Sequence, residues 1–436
     1  MTSATLLWTE YPYQAGFCIT DDTDDATLPQ VKAVYDFLIK RNFPTTKTVW
    51  PFKAVAPSGI PPTPESTLRG ITLEDPEYLE YCAQLAGHGF EICLHGASAG
   101  NNKRDATRKA FDFLESHFGG SDTFICHSKN AENIYWGGKV TRLFPFNLAG
   151  RFLGRHAFSG EDETSAYFWG DLCRQKINQI RLFRTRRCNT LKRNPSMPYH
   201  DPRKPFVNHW FSATKRSIAD CATRPALDRL KAENGLTVLY QYLHRYADPR
   251  SLELHRGFVT AVETLSGDGE IHIATVSSHM RRLRMMRGAS VLFRGPDYWL
   301  VNSNDTPLRN VQFALTSSAD LHIEGEGLFQ EGNRLVFPEI PAKGLLHWKC
   351  PGKIAFAKCA AKNIPPGADL PLRVDIEVRR AQAAQARGLP LLEEYGLILD
   401  QFRIIAREIL FQGRSMDSDK FLDAGREIRL ENHDNW

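Results

Sequence analysis

Residues 17–25 read FCITDDTDD: an apolar run that ends in four aspartates within five residues. GFCIT (Gly16–Thr20) reads as a strand buried on both faces, since it shows no polar alternation. LPQVKAVYDFLIKRN (Leu28–Asn42) follows and sets Val31, Val34, Phe37 and Leu38 on one helical face. The same alternation repeats downstream. TTKTVWPF is a strand, and AVAPSGIPPTPEST a loop rich in Pro, Gly and Ser. PEYLEYCAQLAGHG is a helix with a glycine stop, and FEICLHG a strand. RDATRKAFDFLESHFGG, TFICHS, PALDRLKAENG and LTVLYQYLHRY continue the series. Alternating β and α units predict a parallel sheet with crossover helices. The number of repeats fits a closed or nearly closed (β/α) barrel over residues 1–288.

The composition changes near Ala289. Residues 289–352 carry short alternating strands and turns such as SND, EGEG and EGN, which predict a small antiparallel β domain, sandwich-like in character. From residue 353 to 436 the expectation is a helical C-terminal extension. Ile376–Gly388 and Leu392–Phe411 read as helices, and GRSMDSDKFLDAGREIRLENHDNW is polar. Such a tail is a natural place for homo-oligomer contacts.

Hydrophobic content of 42% and charged content of 24% over 436 residues are ordinary for a globular chain. A net charge of +5 is too weak to argue for nucleic acid. The basic runs RLFRTRR (Arg181–Arg187) and MRRLRMMR (Met280–Arg287) read first as solvated faces, and second as a surface attracting an anionic glycan or sugar phosphate. Nine cysteines, odd in number and with no CxxC pair, look like buried thiols of a reducing compartment. The first residues lack a basic start and a long apolar core, and no 18-residue apolar span occurs. A cytoplasmic location without a membrane span is expected.

Catalytic side chains of α/β barrels sit where strands end. Asp21 and Asp22 hold that position after GFCIT. One of two adjacent carboxylates can bind a metal while the other works as a base. Asp24, Asp25 and Thr27 read as caps of the helix that follows. His95, His127 and His244 close three further strands, FEICLHG, TFICHS and LTVLYQYLH. One such histidine is commonly a packed residue. Three at equivalent strand ends, facing an Asp pair, predict convergence at one barrel mouth.

With these motifs in order, the chain resembles the polysaccharide deacetylase family, the NodB-homology carbohydrate esterases, over residues 10 to 285. Thr20, Asp21 and Asp22 are similar to its T-F-D-D strand end, without the Phe. LAGHGFEICLHGAS resembles its G-H-E-I-G-x-H-[ST] segment, and LTVLYQYLH its late Leu-His strand. The resemblance implies a distorted (β/α) barrel and a divalent metal, zinc being the expected ion. It implies metal-dependent hydrolysis of an acetyl group from a carbohydrate, as in surface polysaccharide metabolism. Asp21 would be the base, Asp22 and His95 metal ligands, and His244 the acid. Two departures stand out. Ala99 replaces the second metal histidine, so three readings are open: Ser98, Asn101 or His127 substitutes, His127 being favoured; the metal is bound weakly; or the site has lost it. The Arg-Pro-Pro-Tyr-Gly motif is missing near ICHSKNAEN. Asp171, in YFWGD (Tyr167–Asp171), matches the family's histidine-orienting acid. Trp169, Tyr199 and Trp210 are candidate sugar-stacking residues.

Two alternatives remain at this stage. One is a non-catalytic glycan-binding protein on the same fold. The other is a glycoside hydrolase pairing Asp21 with Glu91, Glu132, Asp162 or Asp171.

Overall fold

A short first strand, β1 (Thr2–Leu7), belongs to a sheet completed far downstream; the barrel begins at β2 (Ala15–Asp21), buried at every position. The computed structural model describes residues 2–55, 70–128, 130–141, 143, 158–316, 322–367, 369–385 and 388–412. Most of the Pro/Gly loop, residues 56–69, and the polar terminus, residues 413–436, lie outside them. From β2 the chain runs through α1 (Leu28–Lys40), β3 (Thr46–Val49), α2 (Pro76–Gly87), β4 (Glu91–Leu94), α3 (Arg104–Phe118) and β5 (Thr123–Phe124). It continues through α4 (Gly170–Lys176), β6 (Gln179–Thr185), α5 (Thr190–Arg193), β7 (His209–Thr214), α6 (Ile218–Cys221), α7 (Arg224–Ala232) and β8 (Leu236–Gln241). α8 (Arg256–Ser266), β9 (Ile271–Ile273) and α9 (Val276–Met286) complete this part.

Strands β3-β4-β5-β6-β7-β8-β2 lie side by side, and β2 returns to β3, which closes a seven-stranded parallel barrel. The closure is split, and this is the distortion. One edge of β2 faces β8 along its length, from Gly16↔Leu236 to Asp21↔Gln241. The other edge is shared: Ala15, Gly16 and Phe17 pair with β9, while Thr20 and Asp21 pair with Thr46 and Lys47 of β3. The gap below β3 is filled by polar groups. The Thr46 hydroxyl donates to Glu91 Oε2 at 2.7 Å, which also accepts the Ser277 N–H at 3.1 Å. The Val276 N–H reaches the Thr46 hydroxyl at 2.9 Å, so the start of α9 is pinned to the seam.

The second unit is a sandwich of two sheets. β10 (Ala289–Arg294), β11 (Asp297–Asn302), β12 (Leu308–Leu315), β13 (Phe329–Glu331), β14 (Arg334–Ile340) and β15 (Leu345–Lys349) are joined by β16 (Ile354–Ala357) and β17 (Ala360–Asn363). The sheets are ordered β13-β14-β12-β1-β16 and β15-β11-β10-β17. Tyr298 stacks on Trp348 at 5.4 Å, and Phe337 of the opposite sheet meets that indole edge-on at 5.1 Å. The unit thus draws chain from beyond 289–352. β1 comes from the N-terminus, and β1–β16 and β10–β17 are parallel pairs in an otherwise antiparallel arrangement.

Helices α10 (Leu370–Gln385) and α11 (Leu391–Gln412) follow. α11 lies along β6 of its own barrel. Asp400 accepts from Thr185 at 2.8 Å and Arg193 at 2.9 Å, and Gln401 takes the Arg184 N–H at 2.9 Å. None of the helices among the described residues is long and apolar enough to cross a membrane.

Where sandwich meets barrel floor, His279 of α9 is buried against Trp8, with ring centroids 5.5 Å apart, and against His272 at 5.2 Å. Its Nε2–H points to the Phe17 carbonyl at 3.3 Å. The approach is close enough that a Cβ on Gly16 would sit 2.6 Å from the Trp8 ring. Burial pushes the His279 pKa down to about 3, helped by His272. Folded, this histidine is neutral; unfolded, it titrates near 6.5. Unfolding therefore takes up one proton between these two values, and the stability contribution is present above about 6.5 and lost progressively as pH falls from there to about 3. His279→Phe should reduce the acid slope of the unfolding free energy by about 1.4 kcal/mol per pH unit between pH 6 and 4, read from urea titrations. An unchanged slope would show that His279 takes up no proton on unfolding.

Candidate metal centre

The four aspartates have four different fates. Asp21, the last residue of β2, is 1% exposed, and both of its oxygens are filled. Oδ2 accepts the Tyr35 hydroxyl at 2.8 Å and the Lys47 ammonium at 2.9 Å, while Oδ1 accepts the Leu243 N–H at 2.7 Å. Asp22 receives both arms of the Arg181 guanidinium, at 3.0 and 2.8 Å. Arg181 also donates to the Thr20 hydroxyl at 3.0 Å and lies 4.1 Å over the Tyr240 ring. Burial alone would lower the Arg181 pKa; Asp22 outweighs it and raises it. Asp25 adopts a left-handed φ of 60°, which Asp tolerates, and its carboxylate is 3.7 Å from Arg245.

Asp24 is the one that stands apart. It is not the helix cap expected from sequence: Thr27 occupies that position, with no side-chain cap bond. Among the described residues Asp24 has no lysine or arginine partner. Two imidazoles face it instead. Its Oδ1 lies 2.9 Å from His127 Nε2 and its Oδ2 lies 3.4 Å from His95 Nε2. Burial pushes the Asp24 pKa up, but the two histidines outweigh it and hold it well below the usual carboxylate range.

The histidine tautomers can be read from their other nitrogens. His95 Nδ1 must donate to the Ile125 carbonyl, 2.7 Å away. In the neutral ring the lone pair is then on Nε2, aimed at Asp24 Oδ2 and, at 3.8 Å, at Asp22 Oδ2. Neither His95 Nε2 nor Asp24 Oδ2 has a hydrogen-bond partner among the described residues. Lone pairs converging in a buried space need a proton or a cation between them. The donor atoms of Asp22, Asp24 and His95 all lie within 4.8 Å of one another, and their chemistry fits a divalent ion.

His127 occupies a different place from the one expected. It meets the far oxygen of Asp24 and is not part of that three-residue group. Its Nδ1–H donates to Asn130 Oδ1 at 2.8 Å. The Asn130 amide is held the right way round because its nitrogen donates to the Gly100 carbonyl and Glu132 Oε1, both at 2.8 Å. Burial lowers the His127 pKa, but the Asp24 carboxylate outweighs it and the net shift is upward. The upward shift favours the charged ring, and His127 orients Asp24 in the manner of groups that surround metal ligands. The other substitutes for the missing histidine are occupied by hydrogen bonds of their own. The Ser98 hydroxyl donates to Asn102 at 2.6 Å, and Asn101 takes the Ala131 N–H at 2.8 Å. Trp50 packs against both imidazoles, with centroids 5.8 Å from His95 and 5.6 Å from His127.

His244 lies in the turn after β8, whose Leu243 N–H is the group bound by Asp21. It is buried, and its Nδ1 has no partner among the described residues. Burial pushes its pKa down to about 4, against the opposing pull of Asp21. It is neutral at pH 7, where the resemblance expected a cation.

Four further candidates are not in this cluster. Asp171 is 51% exposed and forms a bidentate surface pair with Arg104, at 2.7 Å on each arm; solvent and a guanidinium, not an imidazole, satisfy it. Trp169 is fully buried, its indole donating to the Glu132 carbonyl at 2.6 Å. Tyr199 and Trp210 are enclosed as well and exchange backbone hydrogen bonds with each other at 2.7 and 3.1 Å. No ring face of these three is free for a sugar. The acids weighed for a glycoside hydrolase are also committed elsewhere. Glu91 holds the seam, Glu132 holds Asn102 and Asn130, and Asp162 closes a turn on Thr164.

Lys47 and Tyr35 are the side chains that sequence reasoning passed over, and Arg181, read as part of a solvated or anion-attracting basic run, is instead buried against Asp22. Only Arg181 left a usable signal: an arginine inside the apolar run QIRLF is costly unless an acid awaits it.

No protein-family model matches this chain, and neither does any curated protein. Among solved structures it is similar to a Puue allantoinase (10% identity, TM-score 0.35) and to a probable polysaccharide deacetylase from Pseudomonas aeruginosa PAO1 (11%, 0.34). It is also similar to a family 4 acetyl xylan esterase from Clostridium thermocellum in complex with a cobalt ion (11%, 0.28). Each likeness covers 62% of this chain, and 91%, 89% and 91% of the respective partner. At these TM-scores they carry no residue or activity across.

Lys47→Met would leave Asp21 buried without its cation and should cost about 3–5 kcal/mol of stability, whereas Arg104→Met at the surface should cost under about 1 kcal/mol. Chemical denaturation of the two variants side by side checks the ranking. Equal losses would remove Lys47–Asp21 from its central position.

Proposed function

We propose that this chain is a metal-dependent hydrolase that removes an acetyl group from a carbohydrate. The observation that supports it is the set of unpartnered donors, His95 Nε2 and Asp24 Oδ2, meeting Asp22 Oδ2 in a buried space at the barrel mouth. His95, Asp24 and Asp22 would hold the ion. Three protein ligands leave positions open for substrate and water, as catalytic sites require. A bound divalent ion would polarise an acyl carbonyl and activate the hydrolytic water. The sugar and the acetyl group come from the order of motifs in the sequence resemblance, and zinc is the ion it implies.

The chain's own residues divide the remaining work. Neutral His244 accepts the proton of the attacking water and returns it to the leaving group. Asp21 is a positioning residue: both of its oxygens are used, and through the Leu243 N–H it fixes the turn that carries His244. His127 holds Asp24 in orientation. Arg181 competes with the ion for Asp22, so affinity is set as much by the guanidinium as by the ligands. A second reading, a glycan-binding protein without turnover, is favoured by one observation: neither Asp21 nor Asp22 presents a carboxylate free of a cationic partner.

Three measurements follow. Asp24→Asn and His95→Ala should each weaken cobalt or zinc binding at least about tenfold by calorimetry, while Arg181→Met should tighten it. Undiminished affinity in Asp24→Asn would sink the site as drawn. Ion binding requires His95 Nε2 to be free of a proton, so affinity should rise from pH 6 to pH 8, with proton release visible in buffers of different ionisation enthalpy. His244→Gln should lower acetate release from N-acetylglucosamine oligomers by about 10²–10⁴-fold with ion binding intact. A loaded wild-type protein that releases no acetate from acetylated oligosaccharides yet binds them would favour the second reading.

A further inference from the structure

Outside the barrel-mouth cluster, two sulfurs approach each other. Cys188 lies in the connection between β6 and α5, and Cys221 is the last residue of α6, which follows β7. Their Sγ atoms are 2.9 Å apart, with Cys221 placed to donate its S–H to Cys188. A disulfide bond is about 2.0 Å long, so the two are less than an ångström from bonding distance. This is the one sulfur–sulfur contact among the nine cysteines. The two residues also differ in access. Cys221 is buried, while Cys188 is partly open to solvent.

The electrostatic setting selects Cys188. The Cys221 S–H, and the cations Arg216 and Arg229 against the opposing Asp220, lower its thiol pKa; the thiols of Cys18, Cys82, Cys93, Cys126, Cys173 and Cys359 are all pushed up by burial. Arg216 is anchored beside it, its Nε donating to the Arg186 carbonyl at 2.8 Å. A partly exposed, thiolate-favouring cysteine with a second thiol in contact is the arrangement that reacts with peroxide and then resolves.

We propose that Cys188 and Cys221 form an oxidative modification site, in which hydrogen peroxide converts the thiol pair to an intramolecular disulfide. The Cys188 thiolate attacks one peroxide oxygen. The O–O bond breaks, hydroxide leaves, and Cys188 becomes a sulfenic acid. Cys221, giving its proton to that hydroxide, attacks the Cys188 sulfur; the S–O bond breaks and a second hydroxide leaves. Counted from two thiols, one peroxide yields one disulfide and two waters. The bond joins the connections that follow β6 and β7 at the C-terminal end of the barrel. Cys188 reacts first, and Cys221 resolves.

The test is limiting hydrogen peroxide added to the full chain, then alkylation and non-reducing peptide mapping by mass spectrometry. The peptide carrying Cys188 should appear joined to that carrying Cys221 before any other cysteine is modified. The melting temperature should rise by several degrees and return with dithiothreitol, because the link shortens the unfolded chain. In Cys221→Ser, Cys188 should be trapped by dimedone as the sulfenic acid, and in Cys188→Ser no cross-link should form. The proposal is overturned if wild-type Cys188 proceeds to the sulfinic acid with Cys221 still free, or if cross-links scatter over other cysteines. The wild-type map decides this even where a serine variant folds poorly.

Discussion

The barrel closes on an ion pair. Asp21 and Lys47 are register partners where β2 meets β3, and their side chains meet at 2.9 Å, each 1% exposed. A buried charge at a seam is tolerable only when its partner arrives with it. The same contact that compensates Asp21 also fixes which residue of β3 lies beside β2. Tyr35 of α1 and the Leu243 N–H after β8 complete the coordination of this carboxylate, so one side chain gathers a helix, a strand and a turn. The rest of the mouth is built around it.

Next to the seam the same rule operates once more and then stops. Asp22 is neutralised by Arg181, which enters from β6 and stacks on Tyr240. Among the described residues Asp24 faces imidazoles and no lysine or arginine, and an imidazole can give way to a metal ion. A site of this kind tolerates either a proton or a metal ion. The chain of hydrogen bonds Glu132–Asn130–His127 decides which nitrogen of His127 faces the carboxylate, and the Ile125 carbonyl does so for His95. The geometry favours a cation chosen by two carboxylates and one imidazole, with a guanidinium as its competitor.

Much of this was legible from residue order. The alternating β and α segments, the strand ending in ITDD, and the histidines closing FEICLHG and TFICHS all follow from periodicity and turn chemistry, which are local properties. The sandwich was visible in part. Its N-terminal strand β1 was not, because TSATLL pairs with Leu308–Leu315 and Ile354–Ala357, and nothing within six residues announces partners hundreds of positions away. Trp169, Tyr199 and Trp210 were misjudged for a related reason. Trp169 caps α4 and Trp210 lies within β7, and the identity of an aromatic residue is the same whether it faces solvent or is sealed by its neighbours.

Sequence alone determined that a parallel barrel carries acids and histidines at the ends of its strands, because strand burial and helix amphipathicity are written in short-range patterns. Only the tertiary structure decided which aspartate is left without a lysine or arginine among the described residues. Asp21, Asp22 and Asp24 are chemically alike in the string of letters. They differ because Lys47, Arg181 and two imidazoles reach them from β3, β6 and the ends of β4 and β5, and electrostatic compensation is fixed by ångström-scale separations that no local pattern encodes.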